Sequence, residues 1–308
     1  MLAFSTNWNA SRHHDGASIV AEILELGFTT IELGHGLSVS QLGGIRSAFK
    51  GGEGAGGFDV ISVHNFCPMP LEVLKDNPDC YEFTSQRSQE RERAMRLTRQ
   101  TMETAREFGA LFVVLHLGRI PGLRGLTDNL LEKLRQHGVA SRDYNRSKLE
   151  LVRKREKQAT RYLDLVKLIL EPLVEEASKQ GITLVVENRS DFEAVPTERE
   201  ILALLQYFNS PHLRYWHDFG HAQMREYLGL LDHAEWLGQV APFAVGAHLQ
   251  DAKWPDEDHL VPFEGKIPFD RLVPLLPSSL PYILELSPKA SPEAIRTAVE
   301  RWSSLFKQ

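Results

Sequence analysis

Short apolar runs alternate along this chain with longer stretches whose apolar positions recur at helical spacing. Eight of the short runs have the length and composition of buried strands, over residues 2–6, 30–33, 59–64, 111–116, 183–187, 213–218, 244–249 and 282–285. Between them the period changes. Residues 16–26 carry Ile19, Val20, Ile23 and Leu24 at helical spacing, and Gly27 supplies the stop. Further helices are expected over 38–49, 85–108, 147–180, 197–208 and 291–306. Thr197, with Glu200 three residues on, has the form of a capping box. Ser291 followed by Pro292 offers a cap and a proline at the first helical position.

Strand followed by helix, repeated along the chain, gives an α/β fold with a parallel sheet. Eight strands, four of the later ones ending in chemically able side chains, favour a closed (β/α)8 TIM barrel over an open doubly wound sheet. The expectation is one TIM-barrel domain over 1–308 with loop insertions near 120–146 and 253–266. Those insertions absorb the excess over the ~250 residues typical of the fold. The glycine-rich run 51–57 reads as a connection, since it precedes a strand and lacks the Gly-Lys-Ser/Thr ending of a phosphate loop.

The strand endings carry the candidate chemistry. The fifth to eighth strands end in Glu187, Asp218, His248 and Glu285. An ionisable group at the rim of a buried sheet is costly unless something compensates it. In a barrel of this kind all four converge on the C-terminal mouth, where active sites lie. One divalent cation explains all four, and three carboxylates with one imidazole suit Mn²⁺, Mg²⁺, Zn²⁺ or Co²⁺. Other histidines stand at the same rim. His64 and His116 end the third and fourth strands, His221 follows Asp218 by three residues, and His259 lies in the seventh loop. They are candidates for substrate contacts or further metal ligation. His217 is expected to point away from Asp218 by strand alternation. Trp8, Phe66 and Trp254, near strand ends, are candidate apolar walls for a ligand, and Arg119, Arg124 and Lys253 lie in loops that could reach a phosphate.

Composition narrows the partners. The net charge of −6 gives no general attraction to nucleic acid or anionic membrane. Cys67 and Cys80 are the only cysteines, which excludes a disulfide framework and a cysteine-rich zinc site. No apolar run approaches the ~20 residues that span a bilayer, and residues 1–7 lack the pattern of a signal peptide. The expectation is a cytoplasmic protein with a small-molecule partner; whether it forms a homo-oligomer is left open.

The motifs Val186-Glu187-Asn188, His217-Asp218-Phe219-Gly220-His221, Ala247-His248-Leu249-Gln250-Asp251 and Leu284-Glu285-Leu286 resemble the sugar isomerase/epimerase superfamily of xylose-isomerase-like barrels. That superfamily also includes metal-dependent abasic-site endonucleases. The resemblance runs from residue 4 to residue 302. It implies that Glu187, Asp218, His248 and Glu285 hold one metal ion, as in ketose epimerases. It further implies that Glu187 and Glu285 form an acid/base pair working through an enediolate, and that His221 contacts substrate. Trp254 departs from the pattern, standing where those epimerases place an arginine six residues after the histidine ligand. The implied activity is a metal-dependent isomerase or epimerase of a sugar, keto-sugar or related polyol derivative. The alternative is a metal-dependent phosphodiesterase of the abasic-site endonuclease type. His64 and His116 stand where those enzymes bind a second metal with Glu187, and His221 and His259 match two ligands of a third. Glu257 replaces their aspartate. The acidic charge balance argues against a nucleic-acid substrate.

Overall fold

The computed structural model describes residues 1–50, 57–73 and 77–306; apart from Gly57, the glycine-rich run lies outside the described residues. Eight parallel strands close into a barrel: β1 Leu2–Ser5, β2 Thr30–Leu33, β3 Asp59–His64, β4 Phe112–Leu115, β5 Thr183–Glu187, β6 Leu213–Asp218, β7 Ala244–Leu249 and β10 Tyr282–Leu284. The order around the ring is β1-β10-β7-β6-β5-β4-β3-β2. Each lies where the apolar runs placed it, with ends differing by no more than one residue. Pairing of Leu2 with Tyr282 and of Phe4 with Leu284 closes the ring.

Register decides which side chains meet. Asp218 pairs with His248 across β6 and β7, and His248 pairs with Ile283 across β7 and β10. Glu285, two residues beyond Ile283, therefore emerges just above the level of His248. Beneath them Ala3, Ile61, Val114, Val185, Trp216 and Ile283 form a small packed core of their own. The Trp216 ring lies edge-on to His248, with centroids 5.5 Å apart. This arrangement needs Gly246, because a Cβ there would lie 2.1 Å from the Trp216 ring.

The surrounding helices are α1 Gly16–Glu25, α2 Val39–Lys50, α3 Ser88–Phe108, α4 Leu126–His137, α5 Arg142–Gln180, α6 Glu198–Phe208, α7 Phe219–Tyr227, α8 His233–Val240, α9 Phe269–Leu272 and α10 Pro292–Leu305. The capping box of Thr197 and Glu200 starts α6, and the Ser291 hydroxyl accepts from Ala294 N at the head of α10. The larger core sits between this layer and the strands.

Two segments expected as loops hold regular structure. Residues 120–146 contain α4, and α5 begins at Arg142 rather than 147, capped by Ser141. Leu130, Leu134, Tyr144, Leu151 and Leu228 pack as a satellite core that pays for ordering this charged sequence. Residues 253–266 include most of an antiparallel hairpin, β8 Asp251–Lys253 and β9 Glu257–Leu260. The buried Asp251 carboxylate accepts from the backbone N–H groups of Ala252, Phe263, Gly265 and Ile267, which ties the loop to its base. Among the described residues no helix is long and apolar enough to cross a membrane.

Candidate metal centre

Glu187, Asp218, His248 and Glu285 are all buried at the C-terminal mouth, and one ligand atom from each lies within 4.8 Å of the others. His248 Nδ1 is 3.1 Å from Glu285 Oε2, 3.3 Å from Glu187 Oε1 and 3.8 Å from Asp218 Oδ2. Its other nitrogen, Nε2, lies 3.1 Å from Glu32 Oε2, which also accepts the Ser62 hydroxyl at 2.7 Å. A carboxylate has no hydrogen to give, so Nε2–H donates to Glu32, which leaves Nδ1, facing three carboxylates, to carry either a proton or a metal ion. Among the described residues, His248 Nδ1 and Glu187 Oε1 are buried polar atoms without a hydrogen-bond partner. Acceptors crowded face to face at about 3 Å require a cation between them. A proton on Nδ1 relieves one such contact, whereas a divalent ion relieves them all; the donor set therefore fits the implied metal.

The electrostatics agree. Burial pulls the His248 imidazole down, but the carboxylates of Glu285, Glu32 and Glu187 override it and hold the ring well above its ordinary range. Burial likewise pushes Glu187 and Glu285 up, and the facing histidines, His248 first, hold both below the usual carboxylate range. For Asp218 burial wins and raises the carboxyl. Asp218 Oδ1 also accepts from His221 N at 2.6 Å as the cap of α7, and its Oδ2 accepts from Gln250 Nε2 at 2.8 Å. Asn7 Nδ2 donates to Glu285 Oε1 at 2.8 Å, leaving Oε2 to face His248.

Glu187 has a second face. Its Oε2 lies 2.9 Å from His116 Nε2 and 3.3 Å from His64 Nε2, so His64, His116 and Glu187 form another converging group. His64 Nδ1 bonds Asn65 O at 3.0 Å, and His116 Nδ1 bonds Asp79 Oδ1 at 3.0 Å. Arg189 Nη1 lies 2.6 Å from His116 Nε2. Burial and the Arg189 charge lower His116, which stays neutral. Partial burial pushes the Asp79 carboxyl up, but Arg189, His116 and Arg119 hold it well below the usual range.

The other expected residues divide. His221 Nδ1 lies 3.0 Å from Asn188 O and 3.2 Å from Glu187 Oε1. Burial opposes its charge, yet Asp218 and Glu187 push the ring up to about 9. His259 is on β9, its ring centroid 5.8 Å from that of His221. Trp254 lies between β8 and β9 and is 49% exposed. Trp8 and Phe66 are not walls of an open site: both are buried in the main core, and Trp8 Nε1 donates to Ala290 O at 3.0 Å. Arg119 is tied to Asp79, Glu82 and Asp191. His217 faces outward, as alternation requires, with its Nε2 3.0 Å from His233 Nε2. Sequence reasoning missed Glu32, Asn7, Asp79, Arg189 and Gln250. Only Glu32 carried a signal, as a charge inside the apolar strand Thr30–Leu33.

A family model described as "Xylose isomerase-like TIM barrel" matches residues 20–305. The chain belongs to the xylose isomerase-like TIM barrel family. Its fold is similar to that of a D-tagatose 3-epimerase-like protein, at 20% identity and TM-score 0.69, covering 99% of this chain and 97% of that one. A 3-keto-D-glucoside 4-epimerase from E. coli matches at 14% identity and TM-score 0.66, with 98% of each chain covered. An L-ribulose 3-epimerase matches at 16% identity and TM-score 0.61, covering 98% of this barrel and 86% of the other chain. No curated protein matches the sequence.

Proposed function

We propose that this barrel is a divalent-metal-dependent isomerase or epimerase of a sugar, keto-sugar or related polyol derivative. The observation that carries the reading is the pair of unpartnered buried acceptors, His248 Nδ1 and Glu187 Oε1, facing further carboxylate oxygens. Glu187, Asp218, His248 and Glu285 would hold the ion. When bound, it supplies Lewis acidity to a substrate carbonyl and its neighbouring hydroxyl.

The protein's own groups supply the rest. Glu187 ends β5 and Glu285 follows β10, with β6 and β7 between them in the ring. Carboxylates from separated strands flank a substrate carbon, so one removes the proton beside the carbonyl and the other returns it on the opposite face. Return to the neighbouring carbon by a single glutamate gives aldose–ketose isomerisation instead. Asn7 fixes which Glu285 oxygen is available. His221 spends Nδ1 on Asn188 O and contacts a substrate oxygen through Nε2. His64, His116, His259 and Trp254 line the substrate side. The printed names of the similar structures, sugar epimerases, support a carbohydrate substrate.

The test is metal-loaded protein in deuterated water with ketoses, aldoses and inositols, read as deuterium entering the carbon beside the carbonyl. Glu187→Gln and Glu285→Gln should each lower the rate by about 10³-fold or more, roughly 4 kcal/mol in the barrier. Undiminished turnover in both variants would refute the reading. A second reading, phosphodiester hydrolysis at abasic sites, is favoured by the convergence of His64 and His116 on Glu187. It requires three tightly held ions and cleavage of abasic DNA; one ion and no cleavage eliminates it.

A further inference from the structure

Glu187 presents one oxygen to each of two groups, and a guanidinium already stands beside the second. On the Oε1 side two buried atoms lack partners, Glu187 Oε1 itself and His248 Nδ1. On the Oε2 side, Glu187 Oε2 faces His116 Nε2 at 2.9 Å and His64 Nε2 at 3.3 Å, and Arg189 Nη1 stands 2.6 Å from His116 Nε2. We infer that Arg189 is a built-in cation that occupies the second histidine group and keeps the centre mononuclear. The inference rests on the metal-dependent reading above and deepens it.

The reasoning follows the lone pairs. A neutral imidazole has one N–H and one in-plane lone pair. His116 Nδ1 faces the Asp79 carboxylate, which only accepts, so the hydrogen is on Nδ1 and the lone pair on Nε2. A guanidinium only donates. Arg189 Nη1 therefore donates to His116 Nε2 across 2.6 Å and takes the one lone pair with which His116 could bind a metal. The guanidinium is held there by a second contact, from Nη2 to Asp79 Oδ2 at 3.2 Å. Asp79 is anchored in turn by Arg119, which Glu82 and Asp191 hold from the far side. The arginine is thus fixed by an ion-pair chain.

Charge points the same way. The first group offers the three carboxylates of Glu187, Asp218 and Glu285, whereas the second offers Glu187 alone and already borders a permanent positive charge. An ion entering the second group would have to displace Arg189 from His116 and then share the pocket with it. The three residues converge as ligands would, and the arginine fills the role an ion would take.

Metal content decides the matter. The full-length protein, Arg189→Met and Arg189→Met/His116→Ala would each be saturated with Zn²⁺, and separately with Mn²⁺. They would then be desalted and the bound metal counted by mass spectrometry, with circular dichroism confirming the fold. One ion per chain is expected in the unmodified protein, two in Arg189→Met, and one again in the double variant. Two ions in the unmodified protein overturn the inference without needing either variant. One ion in both the unmodified protein and Arg189→Met overturns it while leaving the first metal centre intact. No ion in any of the three proteins overturns the metal-dependent reading and the inference together.

Discussion

Two sets of histidines in this barrel are equally buried and behave oppositely. His248 lies inside the mouth among Glu32, Glu187 and Glu285, which hold its ring well above the ordinary range. The rings of His217, on β6, and His233, on α8, face each other, Tyr215 and Gln223, and among the described residues no carboxylate is in hydrogen-bond contact with either ring. Burial drives both of these rings down, His233 to about 3. Burial by itself makes an imidazole neutral; its company decides whether it becomes a cation site.

The largest effect expected from this contrast is on acid stability. The unfolded His233 titrates near 6.5 and the folded one near 3, so the unfolded state binds more protons between these values. Its contribution is intact above pH 6.5 and is lost as pH falls, at about 1.4 kcal/mol per unit, reaching roughly 3 kcal/mol by pH 4.5. Urea unfolding of metal-free protein across this range should show that slope, and His233→Gln should flatten it. An unchanged slope would break the contrast.

A smaller effect is expected at Glu32. Its carboxylate orients His248 as outer-shell partners orient metal-ligating histidines elsewhere, so Glu32→Gln should weaken metal binding by about 10–100-fold. Calorimetric titration with Zn²⁺ measures this directly, and unaltered affinity would remove Glu32 from the account. The smallest effect belongs to Ser62→Ala, which deletes the hydroxyl donor to Glu32. The loss should be about 1 kcal/mol of stability, read by urea unfolding, with metal affinity falling only a few-fold.

The strands and the four converging strand-end side chains were legible in the sequence because both depend on local pattern. A buried strand must be apolar, and a polar residue at its end stands out. Helix α4 was not legible because its polar and charged residues together outnumber its apolar ones, and Leu130 and Leu134 find their partners on α5 and at Leu228. Helix α7 was hidden for a related reason: it begins directly at Asp218 and buries polar side chains, including His221, Gln223 and Arg225. Asp79, after β3, and Arg189, after β5, meet only because β4 pairs with both strands, across more than a hundred residues of chain. No spacing rule could announce such a pair. Trp8 and Phe66 mark the opposite error, since proximity to a strand end does not say which way an aromatic ring turns.

The grip of Asp251 on four backbone amides has a consequence for the rim. It fastens the seventh loop at its root, close to the floor of the mouth, while Trp254 lies out at the bend. Substitutions at that bend leave the four amide contacts at the base of the loop in place, so the rim can be reshaped without disturbing its anchorage.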